Sequence, residues 1–188
     1  STGRIGVQMP MQIIEPGIRL AVAALDDAGG AKAARAIMTT DTVPKHAAVK
    51  IDLGKGRVVH IGAMTKGAGM IDPKLVKAPH ATMLCYITTD AAMDNALLNA
   101  MLSRGSEQSF NRITVDGDMS TNDTVLILAN GAAGVAIAAG TPEADCFYAA
   151  LELLMRDLAR KMVMDGEGAT KFVRSEERRV GKECRSRW

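Results

Sequence analysis

The sequence predicts an α/β fold, a layered sandwich, and three observations carry that reading. Apolar residues make up 47% of a 188-residue chain, enough for one domain with a real core. Strand-like and helix-like stretches are mixed without the regular βαβ alternation of a doubly wound sheet. Two apolar runs, Ala47 to Leu53 and Arg57 to Met64, flank Gly54-Lys55-Gly56, the signature of a β-hairpin.

Each element follows from local pattern. Glu15-Pro16 and the run after it predict a helix with proline in its first turn and Gly29-Gly30 at its end. Ala31 to Met38 is Ala-rich and predicts a second, short helix. A Gly/Pro-bearing loop spans Lys66 to Ala81, and Thr82 to Thr88 is apolar enough for a buried strand. Asp90 is the expected cap of a helix running to about Ser103. Arg112 to Val115 and Thr124 to Ala129 are short strand candidates around the polar turn DGDMSTND. A long helix opens at Thr141-Pro142, where Phe147, Leu151, Leu154, Met155, Leu158 and Met162 recur at helical spacing before Gly166 and Gly168.

Composition excludes several classes. No apolar run approaches the roughly 20 residues of a membrane helix. The opening STGRIGVQMP lacks the layout of a signal peptide. Aromatics are 3%, too few for a base-stacking surface. Three cysteines, Cys85, Cys146 and Cys184, show no metal spacing and read as the reduced thiols of a cytoplasmic protein. The formal charge of +2 belongs to the last 15 residues; without them 17 basic residues face 18 acidic ones. That segment, RSEERRVGKECRSRW, reads either as a nucleic-acid arm or as the translation of a sequencing adapter, and its lack of any apolar period favours the second. Residues 174–188 are therefore set apart from the fold, and no nucleic-acid or membrane partner is expected. Ser1 opens in mid-pattern, so the chain reads as an internal fragment.

Familiar site signals fail on inspection. DGDMSTND starts like a calcium loop but has Thr121 and Ile127 where glycine and glutamate belong. The glycines around Lys66 miss phosphate-loop spacing, and His46, His60 and His80 miss zinc spacing; His60 and His80 are taken as structural. The turn from Asp116 to Asp123 is taken as a hydrogen-bonded turn without a catalytic role. Ala81-Thr82 is more suggestive. A threonine hydroxyl is a poor nucleophile unless a base lies beside it, and cleaving this bond frees the α-amine of Thr82, a built-in base with a pKa of about 8.

Six segments in order change the weight of that last signal: STGRIG at Ser1, AIMTTDTVPK at Ala36, TKGAGMIDP at Thr65, ATMLCYITTDA at Ala81, SFNRITVDGDMSTNDTV at Ser109 and GEGATK at Gly166. With them the chain resembles the ornithine acetyltransferase (glutamate N-acetyltransferase) family of arginine biosynthesis over nearly all of Ser1 to Val173. The resemblance implies an α/β/β/α sandwich, shared with N-terminal-nucleophile aminopeptidases and incomplete here at both ends. It implies self-cleavage at Ala81-Thr82, with residues 1–81 from the α-chain region and 82–173 from the β-chain region.

Residue by residue, the resemblance makes Thr82 the nucleophile and Thr2 and Gly3 the oxyanion hole. Lys66 and a threonine of Thr39-Thr40, with Thr40 favoured, become substrate contacts. The implied reaction moves acetyl from N-acetylornithine to glutamate through acetyl-Thr82, with no cofactor or metal and with acetyl-CoA as an alternative donor in some members. Paired α and β pieces in a heterotetramer are implied as well. The other readings are an aminopeptidase of similar fold and a non-catalytic, unprocessed homologue. The chain departs from the family in one place. Lys66 precedes Thr82 by sixteen residues rather than the usual eleven, and KLVKAPH fills the approach.

Overall fold

The computed structural model describes residues 7–74 and 83–175. Its centre is one four-stranded sheet, ordered β1 (Lys45–Asp52), β2 (Val58–Lys66), β3 (Leu84–Thr89) and β4 (Thr124–Ala129). The first two pairings are antiparallel and the third is parallel. The expected hairpin joins β1 to β2. Gly54, Lys55 and Gly56 all take positive φ, at 76°, 56° and 73°, a turn that two glycines make easy and one lysine tolerates. Its closure is a bond from Leu53 N–H to the Arg57 carbonyl at 2.9 Å.

The helix α1 covers Met11–Ala23 and α2 covers Gly30–Ala36. The expected boundaries shift here. Pro16 lies inside α1, because the Pro10 carbonyl already accepts from Ile13 and Ile14 and starts the helix earlier. The chain leaves α1 at Ala24, where Asp26 takes over: its carboxylate holds Ala28 N–H at 3.0 Å and its carbonyl holds Gly29 N–H at 2.8 Å. Gly30 then opens the second helix instead of ending the first. None of the residues of α1 is buried, and Ile13, Ile18, Leu20 and Val22 face outward.

The connection from β3 to β4 runs through α3 (Asn95–Gln108) and a 3₁₀ turn at Phe110–Arg112. Its cap is Asp94, not Asp90: the Asp94 carboxylate accepts from Ala96 and Leu97 N–H at 2.7 and 3.0 Å. Asp90 is engaged elsewhere, by the backbone N–H and the Nδ1 of His60, each at 2.7 Å. The strand expected at Arg112 to Val115 does not form. Arg112 closes the 3₁₀ turn, and Val115 makes a single backbone bond, to the Ile71 carbonyl at 2.7 Å.

The long helix α4 (Pro142–Met164) is capped by Thr141, with proline in its first turn, and the six apolar residues of its stripe are all buried. It lies across β1 and β2 and beside α3. Gly105 is what lets α3 come so close: a Cβ there would stand 2.7 Å from the Met155 sulfur. Phe147, Leu151, Leu154, Met155, Leu158 and Met162 pack with Val59, Ile61, Cys85 and Ile87 into one core. The fold class is thus the α/β arrangement expected, with one sheet and one helical layer among the described residues. The opposite sheet face carries Met64, Tyr86 and Leu126 in one register row and Gly62, Thr88 and Leu128 in the next, with Leu126 and Leu128 exposed.

Burial and capping give measurable costs. Leu158→Ala is expected to destabilise by about 2–5 kcal/mol, and Asp94→Ala by about 1 kcal/mol, in chemical denaturation of the complete protein. Equal and negligible losses in both variants contradict this packing.

Candidate active site

Lys66 is the last residue of β2 and is 1% exposed. A lysine so buried needs partners. Its Nζ donates to the Thr39 hydroxyl at 3.1 Å. Burial draws the Lys66 ammonium below its ordinary pKa, and repulsion from Lys45 adds to that. The charges of Asp41 and Asp123 oppose it. Thr39 and its neighbour Thr40 are both exposed. The structure therefore pairs Lys66 with Thr39 by a hydrogen bond and leaves Thr40 on the surface beside it.

Behind Lys66 lies a buried ionic knot. Lys45 Nζ sits 2.5 Å from Asp41 and 2.5 Å from Asp165, and all three side chains are at most 6% exposed. Asp41 also accepts from Gly67 N–H at 2.7 Å and Thr39 N–H at 3.2 Å. Asp165 accepts from both the N–H and the hydroxyl of Thr42. Burial alone would raise the Asp41 and Asp165 carboxyls. The hydrogen bonds from Gly67, Lys45 and Thr39 on one, and from Lys45 and Thr42 on the other, outweigh it and hold both below the ordinary carboxylate value.

The chain after Lys66 turns sharply. Gly67 has φ +141°, and a Cβ on it would lie 2.9 Å from Ile71 Cδ1 and 3.0 Å from Met162 Cε, so only glycine fits. The segment after α4 closes over this turn, with Glu167 N–H on the Ala68 carbonyl at 2.7 Å. Asp116 accepts from Met70 and Ile71 N–H at 2.6 and 3.1 Å. Asp123, 1% exposed, accepts from Met83 N–H at 2.8 Å. Burial pushes the Asp123 carboxyl up to about 7, against the opposing effects of that bond and of Lys66.

Thr2, Gly3, Ala81 and Thr82 lie outside the described residues, as does His80. Sequence reasoning singled out Lys66 and the Thr39-Thr40 pair but missed Asp41, Lys45, Asp165 and Asp123. Asp41 falls inside the matching segment AIMTTDTVPK and Asp123 inside the polar turn, yet nothing local separates either from other loop acids. Cys85 is buried, with its thiol pushed up to about 12 by burial, so it is no nucleophile near neutral pH.

The two kinds of carboxylate give opposite pH signatures. Asp41 and Asp165, depressed in the fold, contribute stability that is fully present above pH 3.8 and is lost as the pH falls below it. Asp123 is raised, so its neutral form favours folding and that contribution is lost as the pH rises from 3.8 through about 7. Asp123→Asn should therefore gain unfolding free energy relative to wild type between pH 5 and pH 8, on the order of a few kcal/mol at the upper end, read by chemical denaturation at each pH. A pH-independent difference contradicts this. Lys45→Ala, which leaves two buried carboxylates unpaired, should cost about 3–5 kcal/mol.

Comparison with known proteins bears on what this geometry serves. Residues 1–183 match the ArgJ family. The arginine biosynthesis bifunctional protein ArgJ of Symbiobacterium thermophilum is 53% identical over 174 residues, which are 92% of this chain and 42% of that protein. The glutamate N-acetyltransferase of Methanocaldococcus jannaschii is 47% identical over 174 residues, again 92% and 42% of the two chains. The crystal structure of the ArgJ protein from Bacillus halodurans aligns with 47% identity and a TM-score of 0.42, covering 45% of this chain and 39% of that one. This chain spans about two-fifths of the length of the curated relatives it matches. From the match over residues 1–183, the chain belongs to the ArgJ family.

Proposed function

We propose that this chain is the central segment of a glutamate N-acetyltransferase that carries acetyl from N-acetylornithine to glutamate. The observation that carries this reading is the buried Lys66 ammonium, held by Thr39 at the end of β2 and paired in register with Leu84 of β3. A fixed cation suits the carboxylate that both substrates share. Thr39 orients the ammonium, and the exposed Thr40 supplies a second contact to the substrate.

Two residues before Leu84, the chain contains Thr82. In this reading the Thr82 hydroxyl attacks the Ala81 carbonyl carbon, and the Ala81–Thr82 amide breaks through an ester that water then hydrolyses. Residues 1–81 keep a new carboxylate, and Thr82 gains a free α-amine. In the mature enzyme that amine takes the hydroxyl proton as Thr82 attacks N-acetylornithine, and ornithine leaves with a proton on its nitrogen. Glutamate, through its unprotonated amine, then attacks acetyl-Thr82 and leaves as N-acetylglutamate. Thr2 and Gly3 donate to the oxyanion in each tetrahedral intermediate, a role typically worth a few kcal/mol. The cycle uses no cofactor, and acetyl-CoA is an alternative acetyl donor. The two pieces remain together, and two such pairs form a heterotetramer in the cytoplasm; no described helix is long and apolar enough to cross a membrane.

Intact mass of the complete protein and its Thr82→Ala variant is the direct test. The wild type should split before Thr82 and the variant should stay whole; one uncut chain in both overturns the mechanism. In processed enzyme, Lys66→Ala should raise KM for both carboxylate substrates by about tenfold or more with a smaller loss in kcat. Release of acetate without N-acetylglutamate would assign the site to a hydrolase instead.

A further inference from the structure

Three strands meet at one edge of the sheet. Lys66 ends β2, Met83 leads into β3 and Asp123 leads into β4, with Lys66, Leu84 and Thr124 in one register row. Met83 is gripped on both backbone groups by consecutive residues: its N–H by the Asp123 carboxylate at 2.8 Å, its carbonyl by Thr124 N–H at 3.0 Å. One amide needs only a neutral acceptor. A buried carboxylate is an expensive way to provide one, so the charge itself calls for an account. Lys66 supplies it, since the opposite charges of the two side chains act on each other across this edge.

We propose that Asp123 is a positioning residue for acetyl transfer: it fixes the amide of Met83 beside the register row that holds Lys66, tying the start of β3 to the carboxylate-binding lysine. The role rests on reading Thr82 as the nucleophile and Lys66 as the substrate contact. The amide nitrogen of Met83 belongs to the planar peptide unit that joins it to residue 82, so holding that nitrogen constrains the attachment point of the nucleophile. A misplacement of about 1 Å between reacting groups is enough to cost about a hundredfold in rate. The charged groups that act on Lys66 are Asp41, Asp123 and Lys45, with Asp165 bonded in turn to Lys45. Asp41 is already committed to Lys45 and Gly67, which leaves Asp123 as the anion whose removal changes Lys66 most cleanly.

The test uses the complete enzyme with Asp123→Ala, Asp123→Asn and Asp123→Glu beside wild type and Thr82→Ala. Asp123→Ala should slow self-cleavage at least tenfold and, in processed material, lower kcat more than it changes KM. Asp123→Asn keeps an acceptor for Met83 N–H but no charge. It should slow cleavage less than alanine does and move the alkaline limb of the substrate KM profile toward acid by roughly half a pH unit or more, because Lys66 loses an anion that favours its protonated form. Asp123→Glu should return that limb toward its wild-type position without restoring kcat. A purely structural aspartate would leave the limb in place. Wild-type cleavage rates in the alanine and asparagine variants, with an unmoved limb, overturn the proposal. If the alanine variant does not fold, the limb in the asparagine variant decides the matter alone. An uncut wild type, indistinguishable from Thr82→Ala, removes the parent reading and this role with it; a cut wild type with unaltered Asp123 variants removes only this role.

Discussion

The lysine at position 45 is the constraint on which this arrangement depends. Its ammonium is buried between Asp41 and Asp165 and so joins the loop before β1 to the end of α4, across 120 residues of sequence. Through Asp41 the same knot reaches the Gly67 amide just after β2, and through Asp165 it reaches Thr42. Desolvating three charges is costly, and replacing such clusters by apolar groups is often neutral or stabilising. Apolar side chains, however, would not hold the Gly67 and Thr39 amides in place. Those two bonds determine where Lys66 and its threonine partner stand.

Two electrostatic regimes therefore lie side by side. In the knot, hydrogen bonds overcome burial and keep Asp41 and Asp165 ionised, which stabilises the fold across the neutral range. At Asp123 burial wins, and the carboxyl titrates near neutrality at a cost to stability as it ionises. A group that destabilises the fold at working pH is a poor choice for a purely architectural role, and a stability cost of this kind is common where a site needs a charge. The cluster around Lys66 thus combines rigid support on one side with an adjustable charge on the other.

How much of this was legible in the sequence depends on the range of the interaction. The hairpin around Gly54-Lys55-Gly56 and the stripe of α4 are local or strictly periodic, and both read correctly. Helix starts read less well, because neighbouring acids compete for capping. Asp90 and Asp94 look alike in the sequence, and only the bonds from His60, thirty residues away, withdraw the first from the role. Pro16 misled for a similar reason: proline favours a first turn, but the Pro10 carbonyl had already gathered two amides. At the site, the matching motif pointed to Lys66 and to a pair of threonines. Lys45 and Asp165 escaped notice since nothing within a window of their own neighbours shows that they meet.

The sequence reading expects a longer approach to Thr82 than the family's, and the described anchors on either side of it bear on that expectation. Asp116 holds the amides of Met70 and Ile71, and Asp123 holds that of Met83, so both ends of the lengthened segment are pinned to one polar turn. Eleven residues lie between Ile71 and Met83, against roughly six without the extra length, and closing the larger loop costs only about half a kcal/mol more. Lys66, on the near side of the first anchor, and Met83, on the second, keep their relation through the sheet register and through Asp123. The polar turn from Asp116 to Asp123, which the sequence offered only as a well-bonded loop, thereby anchors the described chain on both sides of that segment.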